Sequence, residues 1–292
     1  MTSAVDQKPP AQSNRWFAVP RPIQYLFNHF PLQVYGPEDL PVRSPASVRK
    51  RPALYVFVNG DDAALGRPSY NPSCLKWQTV LRIAGVEFDI VPSNNHASPS
   101  GALPFLLPTS SPSPRPLTGE KIHKYAREHA VHELSDASSL RLEAYQALLT
   151  QNIRPAWLYA LYLLPANAPL LKSLYLPSSI LLRTPLHQTL HAAATAEILK
   201  TTRRATISPS QLFTDASAAL HALSVLLGDD KWFFGAKGPG LFDADVFAYT
   251  YLIEGDALAW EDSSLSECLT GLDNLKRHKE RLYERCWGAS KS

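Results

Sequence analysis

Three short apolar runs, ALYVFV (53–58), EFDIVPS (87–93) and ALPFLL (102–107), lie close together, and after about Ser135 strand signals vanish. Each is rich in β-branched or aromatic residues, as a buried strand is. After the first comes a long loop, NGDDAALGRPSYNP. The segment SCLKWQTVLRIAG (73–85) then has the contacts of a helix, with Leu75, Val80, Leu81 and Ile83 apolar, Pro72 near its start and Gly85 to end it. Strand, helix and strand at this spacing predict a right-handed βαβ unit. Pro104 sits at the mouth of the third run, a place where proline is tolerated at an edge or as a cis turn. A loop with a serine-proline tip follows, and then a helix over 118–130.

Beyond Ser135 helical periodicity takes over. Leu142, Tyr145, Leu148 and Leu149 share a face. Ser208-Pro209-Ser210-Gln211 has the form of a capping box with proline at the first helical position. It opens a helix striped by Leu212, Ala216, Leu220, Leu223 and Leu227. FDADVFAYTYLI (242–253) is apolar nearly all round, as a buried central helix is, and LDNLKRHKERLYERC (272–286) is amphipathic with a basic outer face. The order is a small α/β domain over 53–132 and an all-helical domain over 133–292. Residues 1–52 precede both.

Nine of the 25 prolines precede Ala53. Residues 1–15 have the composition of a disordered tail. WFAVPRPIQYLFNHFPLQVY (16–35) differs: Phe17, Tyr25, Phe27, Phe30, Leu32 and Tyr35, with Trp16 and Leu26, put too much apolar area there for a free arm. It packs on its own domain or docks on a partner. The N-terminus has no apolar h-region and few arginines, so neither a secretory signal nor a mitochondrial presequence is expected. The longest apolar stretch, AWLYALYLL (156–164), is too short to span a bilayer and is closed by Pro165. A net charge of +3, with 19% charged residues, argues against a nucleic-acid binder. Cys74, Cys268 and Cys286 are scattered, which fits a reducing compartment and gives no structural zinc site.

NPSCLKWQTVLRIAGVEFDIV, ALPFLL and GPGLFDADVFAY resemble the first helix and second strand, the cis-proline turn and the central helix start of the glutathione-transferase fold. The resemblance implies an α+β chain, with an N-terminal thioredoxin-like α/β domain followed by an all-helical C-terminal domain. It gives Asp243 the role of capping acid, with Gly240 as a weak N-cap in place of a hydroxyl. Ser98-Pro99-Ser100-Gly101-Ala102-Leu103-Pro104 and Phe242-Asp243-Ala244 are similar to the metaxins within that fold. VPRPIQYLFNHFPLQVY (19–35) resembles the smaller fungal metaxin-like peripheral subunits of the mitochondrial sorting and assembly machinery. The resemblance implies a peripheral protein on the cytosolic face of the mitochondrial outer membrane. Its implied partners are a β-barrel core subunit, a second metaxin-like subunit, β-barrel precursors read through their β-signal, and the membrane surface. It implies no catalysis, no cofactor, no metal and no nucleic acid. The arm residues Phe17, Tyr25, Phe27, Phe30, Leu32 and Tyr35 are then the expected partner-binding side chains.

A glutathione-dependent transferase is the alternative. It must lower a thiol pKa with a hydroxyl or cysteine near the start of the first helix, where Ser69, Tyr70, Ser73 and Cys74 are the candidates. It also needs hydroxyl and backbone donors for a carboxylate at the second helix start. Glu120 stands there after Gly119, and its charge repels such a ligand. His123, His129, His132 and Glu133 have no metal-site spacing and suit a solvated helix end. The basic groups Arg43, Arg49, Lys50 and Arg51, and Lys200, Arg203 and Arg204, suit solvated loops or anionic head groups. Trp157, Leu158, Tyr159, Leu161 and Tyr162 suit a helical core. NAPLLKSLYLPSSILL (167–182), broken by prolines, is expected to be largely a loop lying on a partner or a bilayer.

Overall fold

The computed structural model describes residues 50–109, 115–135, 140–177, 179–254 and 257–288. The arm residues Phe17, Tyr25, Phe27, Phe30, Leu32 and Tyr35, and the basic residues Arg43 and Arg49, lie outside the described residues.

Strand β1 (Ala53–Val56) is buried along its whole length and forms the centre of a three-stranded sheet in the order β2-β1-β3. β2 (Asp89–Pro92) pairs with it in parallel, Ala53 opposite Asp89. β3 (Phe105–Leu107) pairs antiparallel, with Tyr55 opposite Phe105, and the two rings stack at 4.3 Å. Such a facing aromatic pair fixes register as well as burying area. The third strand is thus shorter than the sequence run; it begins after a cis Leu103–Pro104 bond. One antiparallel bridge, Leu106 to Leu117, extends the sheet edge.

The loop after β1 contains a short helix α1 (Gly60–Ala64), with Asp61 and Asp62 in its first turn, where the helix dipole favours acids. α2 (Pro72–Ile83) crosses between the parallel strands. Asn71 caps it by accepting from the Cys74 amide at 3.2 Å, and Pro72 takes a position that needs no donor. α3 (Glu120–Glu128) closes the α/β half.

The helical half opens with α4 (Leu140–Leu148), which runs through a π-helical turn, Leu149–Ile153, into α5 (Arg154–Leu158) and a second π turn, Tyr159–Leu163. Pro155 has no amide hydrogen to donate, and the wide turn before it takes up that gap. Leu149, Ile153, Trp157 and Leu161 carry this stretch into the core. α6 (Ala168–Tyr175) and α7 (Ile180–Thr202) occupy the run expected to be a loop. Its prolines explain the correction. Pro169 sits in the first turn of α6 and Pro177 between the helices, so each delimits a helix rather than preventing one.

α8 (Pro209–Leu227) keeps the predicted stripe of Leu212, Ala216, Leu220, Leu223 and Leu227 buried. Its capping box does not form. Ser208 makes no cap hydrogen bond, its hydroxyl lying 3.3 Å from that of Ser210, and Gln211 donates to Asp215 instead. α9 (Leu241–Ile253) is buried on nearly every side, followed by α10 (Ser264–Glu267) and α11 (Asp273–Trp287).

Gly240 is the N-cap of α9 and makes no side-chain cap hydrogen bond, as expected, and the structure adds the reason a glycine stands there. A Cβ there would stand 2.2 Å from the Ser135 carbonyl oxygen, so the position needs glycine because two backbones meet. The Asp243 carboxylate accepts from the Gly240 amide at 2.9 Å, the Phe233 amide at 3.0 Å and His278 Nε2 at 2.9 Å. A buried carboxylate with three donors is well compensated, and the cap comes from Asp243 rather than from residue 240. α9 packs most extensively on α2, with Lys76 and Asp245 paired across the contact. From the far end, Arg82 donates to the Cys286 carbonyl at 2.9 Å, and Trp287 Nε1 donates to that of Gly66 at 3.0 Å.

Candidate functional site

The chemistry a transferase would need belongs at the start of α2, and four candidates lie there. Ser69 is fully buried, and its hydroxyl donates to the Phe57 carbonyl at 2.6 Å. Cys74 is fully buried too, and burial pushes its thiol up to about 12, against small opposing help from Phe57 and Ser69. A helix N-terminus normally favours a thiolate; here desolvation outweighs it. Tyr70 donates its hydroxyl to the Leu174 carbonyl at 2.9 Å, and burial raises it above the usual phenol range. Ser73 alone of the four is exposed.

What covers these groups comes from about a hundred residues away. Tyr175, at the end of α6, meets Phe57 at 5.1 Å and Tyr70 at 5.3 Å, both edge to face. Its hydroxyl accepts from Asn71 Nδ2 at 3.1 Å, so one asparagine caps α2 and anchors the cover. Tyr162, from the second π turn, adds a ring at 5.7 Å and shares a hydrogen bond with Tyr175. Burial raises both phenols, Tyr175 well above the ordinary value. Four aromatic rings and three satisfied hydroxyls therefore occupy the space beside Cys74. Burial keeps the Cys74 thiol and the three phenols protonated, and the Tyr70 hydroxyl is committed to the Leu174 carbonyl, which leaves Ser73 as the exposed hydroxyl at this helix start.

Sequence reasoning placed Tyr162 in the core but did not connect it, Asn71 or Tyr175 to this site. An asparagine before Pro72 is a recognisable cap, but its second hydrogen bond is made only in the tertiary structure.

The start of α3 is polar and open. Gly119 takes φ +53 and ψ −129, a conformation open to glycine, and gives no side-chain cap. Glu120 is exposed and lies 3.6 Å from His123 Nδ1. Glu120, His123, Arg127, Gln146 and Phe234 line a cavity of about 390 Å³. The acid is where the sequence placed it, in the first turn of the helix.

The remaining candidates disperse. His129 stacks on Tyr125 at 4.0 Å with Nδ1 against that residue's carbonyl, and the His132 amide donates to the Ala84 carbonyl. Among the described residues no group of three or more His, Cys, Asp or Glu is placed to hold a metal ion. Arg51 pairs with Glu87 at 3.1 Å and Arg204 with Asp215 at 2.8 Å. Among those residues no helix is long and apolar enough to cross a membrane.

The sequence model of the glutathione S-transferase N-terminal domain matches residues 72–167, and that of the C-terminal domain matches residues 216–282. A glutathione transferase from Burkholderia graminis, solved with two glutathione molecules per subunit, superposes with a TM-score of 0.50. That likeness spans 87% of this chain and 95% of the other at 14% identity, a likeness of fold. Metaxin-3 of Xenopus laevis is 26% identical over 197 residues, which is 63% of this chain. The matched part is 62% of that relative's length. With both halves of the fold matched and a metaxin as relative, the chain is a metaxin-like protein built on the glutathione-transferase fold.

Proposed function

We propose that this protein is a non-catalytic peripheral subunit of the mitochondrial outer-membrane sorting and assembly machinery, where it assists recognition and insertion of β-barrel precursors. In this reading it sits on the cytosolic face, bound to the β-barrel core subunit beside a second metaxin-like subunit. The single observation that carries the non-catalytic half is the closed start of α2: Cys74 is dry, with its thiol near 12, and Tyr70 is committed to the Leu174 carbonyl. Kinship with a metaxin supports the rest. The arm side chains Phe17, Tyr25, Phe27, Phe30, Leu32 and Tyr35 are the proposed anchors on the barrel subunit, since buried aromatics carry most interface energy.

Two experiments test the reading. Full-length protein passed over glutathione-agarose and assayed for thiol transfer should neither bind nor turn over; retention with turnover overturns the non-catalytic reading. For the assembly role, the protein is tagged in mitochondria and its partners recovered. The β-barrel subunit should co-purify with the parent and be largely lost from a Phe27→Ala/Phe30→Ala variant that keeps its circular dichroism. If the parent brings down no barrel subunit, the assembly role fails. If the double variant keeps the complex intact, the arm is not the anchor.

A further inference from the structure

The N-terminal half of α7 has the features of an unpartnered surface. Only its second half reaches the core, through Ala194 and Ile198. From Leu181 to Ala193, about 20 Å at the helical rise, no residue is fully buried; Arg183, Leu186, His187 and Leu190 form a half-buried face and the remaining residues are exposed. At its outer end two adjacent leucines stand in the open, Leu181 at 83% and Leu182 at 61% exposure. Pro185, also exposed, lies one turn further on. Isolated exposed leucines are ordinary, but two neighbours at a helix tip with no described residue covering them are not.

The sequence leading into and out of this tip is basic. Between Glu143 and Glu197 the sequence has no Asp or Glu, while it has Arg154, Lys172 and Arg183, with His187 and His191. Arg183, His187 and His191 follow one another at every fourth position; Arg183 and His187 are half-buried, Arg183 Nε donates to the Pro177 carbonyl at 3.2 Å, and His191 is exposed. Lys172 is exposed on α6 just before the turn into α7. Exposed leucines at a helix tip, with basic and no acidic residues in the sequence on either side, are the chemistry that enters the head-group region of an anionic membrane. A protein partner of ordinary surface would be expected to meet acids as well as bases.

We propose that the α6–α7 corner, led by Leu181 and Leu182 and flanked by Lys172 and Arg183, docks on the surface of an anionic phospholipid bilayer. This deepens the peripheral part of the function above and rests on it only for which membrane is met. The vesicle assay below contains no barrel subunit, so either claim can fail while the other stands.

Full-length protein is sedimented with vesicles of phosphatidylcholine alone and of phosphatidylcholine with phosphatidylserine. Binding is expected to the anionic vesicles and to weaken with added salt. Leu181→Gln/Leu182→Gln, at exposed positions that leave the core untouched, should weaken it by about tenfold. Because the three native cysteines are buried, Leu182→Cys can carry an environment-sensitive dye, which should shift to the blue on the anionic vesicles. The proposal is overturned if the parent ignores both vesicle types, if the double variant binds as well as the parent, or if the dye stays in a watery environment. Photo-crosslinks from position 182 in mitochondria that go to a protein, or to a second copy, rather than to lipid also overturn it.

Discussion

The starts of α2 and α7 use similar materials and end in opposite states. Each follows a proline-containing turn, and each sets a leucine beside another apolar residue: Cys74-Leu75 in one, Leu181-Leu182 in the other. Cys74 and Leu75 are fully buried, while Leu181 and Leu182 are exposed at 83% and 61%. Local sequence does not separate them. The difference lies in what arrives from elsewhere in the chain. α6 lays Tyr175 and the Leu174 carbonyl on the first site, and Asn71 fastens them. Among the described residues no large side chain covers the second. At one helix start three of the four reactive groups are covered by the chain itself; at the other the leucines stand exposed.

The largest effect should come from removing that cover. Tyr175→Ala deletes the ring that meets Phe57, Tyr70 and Tyr162, and should cost about 3 kcal/mol in denaturant melts, the low end of aromatic truncations, because the side chain is half-buried. It should also let iodoacetamide reach Cys74 in the folded protein. A variant of unchanged stability with Cys74 still inert would place the closure elsewhere.

Alkaline pH loads the same site without mutation. Burial holds the thiols of Cys74 and Cys286 near 12, against an ordinary 9.0 in the unfolded chain. Between those values the unfolded state releases protons that the folded state keeps. The stability these thiols contribute is therefore fully present below about pH 9 and is lost as pH rises toward 12. Each should remove about 1.4 kcal/mol per pH unit in that window. Melting curves taken on both sides of the lower value measure this loss. A Cys74→Ala/Cys286→Ala variant should show a shallower fall, and an equally steep one would mean the thiols are not its source.

Tyr70→Phe takes away one hydrogen bond and keeps the ring, so about 1 kcal/mol is expected, from the Leu174 carbonyl left without its donor. A loss several times larger would mean that the hydroxyl organises the whole cluster rather than one contact.

Much of the fold was legible because its signals are local. The βαβ unit, the stripe on α8 and the buried face of α9 follow from residue types a few positions apart. Pro104 was legible as a choice between an edge and a cis turn, and it is both: a cis bond leading into an edge strand. Three things were hidden, two because they are made by distant pairs and one, the Ser208 box, because a neighbouring contact competes. Gly240 was taken for a poor cap, and only the Ser135 carbonyl beside it shows why a side chain cannot stand there. The Ser208 box was a sound pattern that lost to a competing contact with Ser210. The closed start of α2 needed Tyr175, from a run that its prolines made look like a loop. Of the candidate site, the sequence could name the groups a reaction would use, Ser69, Tyr70, Ser73 and Cys74, but not the cover that puts three of them out of use.

The smallest effect should come from the open end of the comparison. Leu181 and Leu182 have little to lose on unfolding, because most of their surface already meets water. Glutamine is close to leucine in helix propensity, so Leu181→Gln/Leu182→Gln should shift stability by no more than about 0.5 kcal/mol. Chemical denaturation of parent and variant, compared at the midpoint with an unchanged slope, measures this. A loss of 2 kcal/mol or more, a size reserved for buried side chains, would mean that something in the folded chain covers these leucines, and the contrast between the two helix starts would collapse. A null result carries weight of its own. It would leave two leucines on the outside of a protein that gains nothing in folding from having them there, which is what a surface kept for contact with something outside the chain predicts.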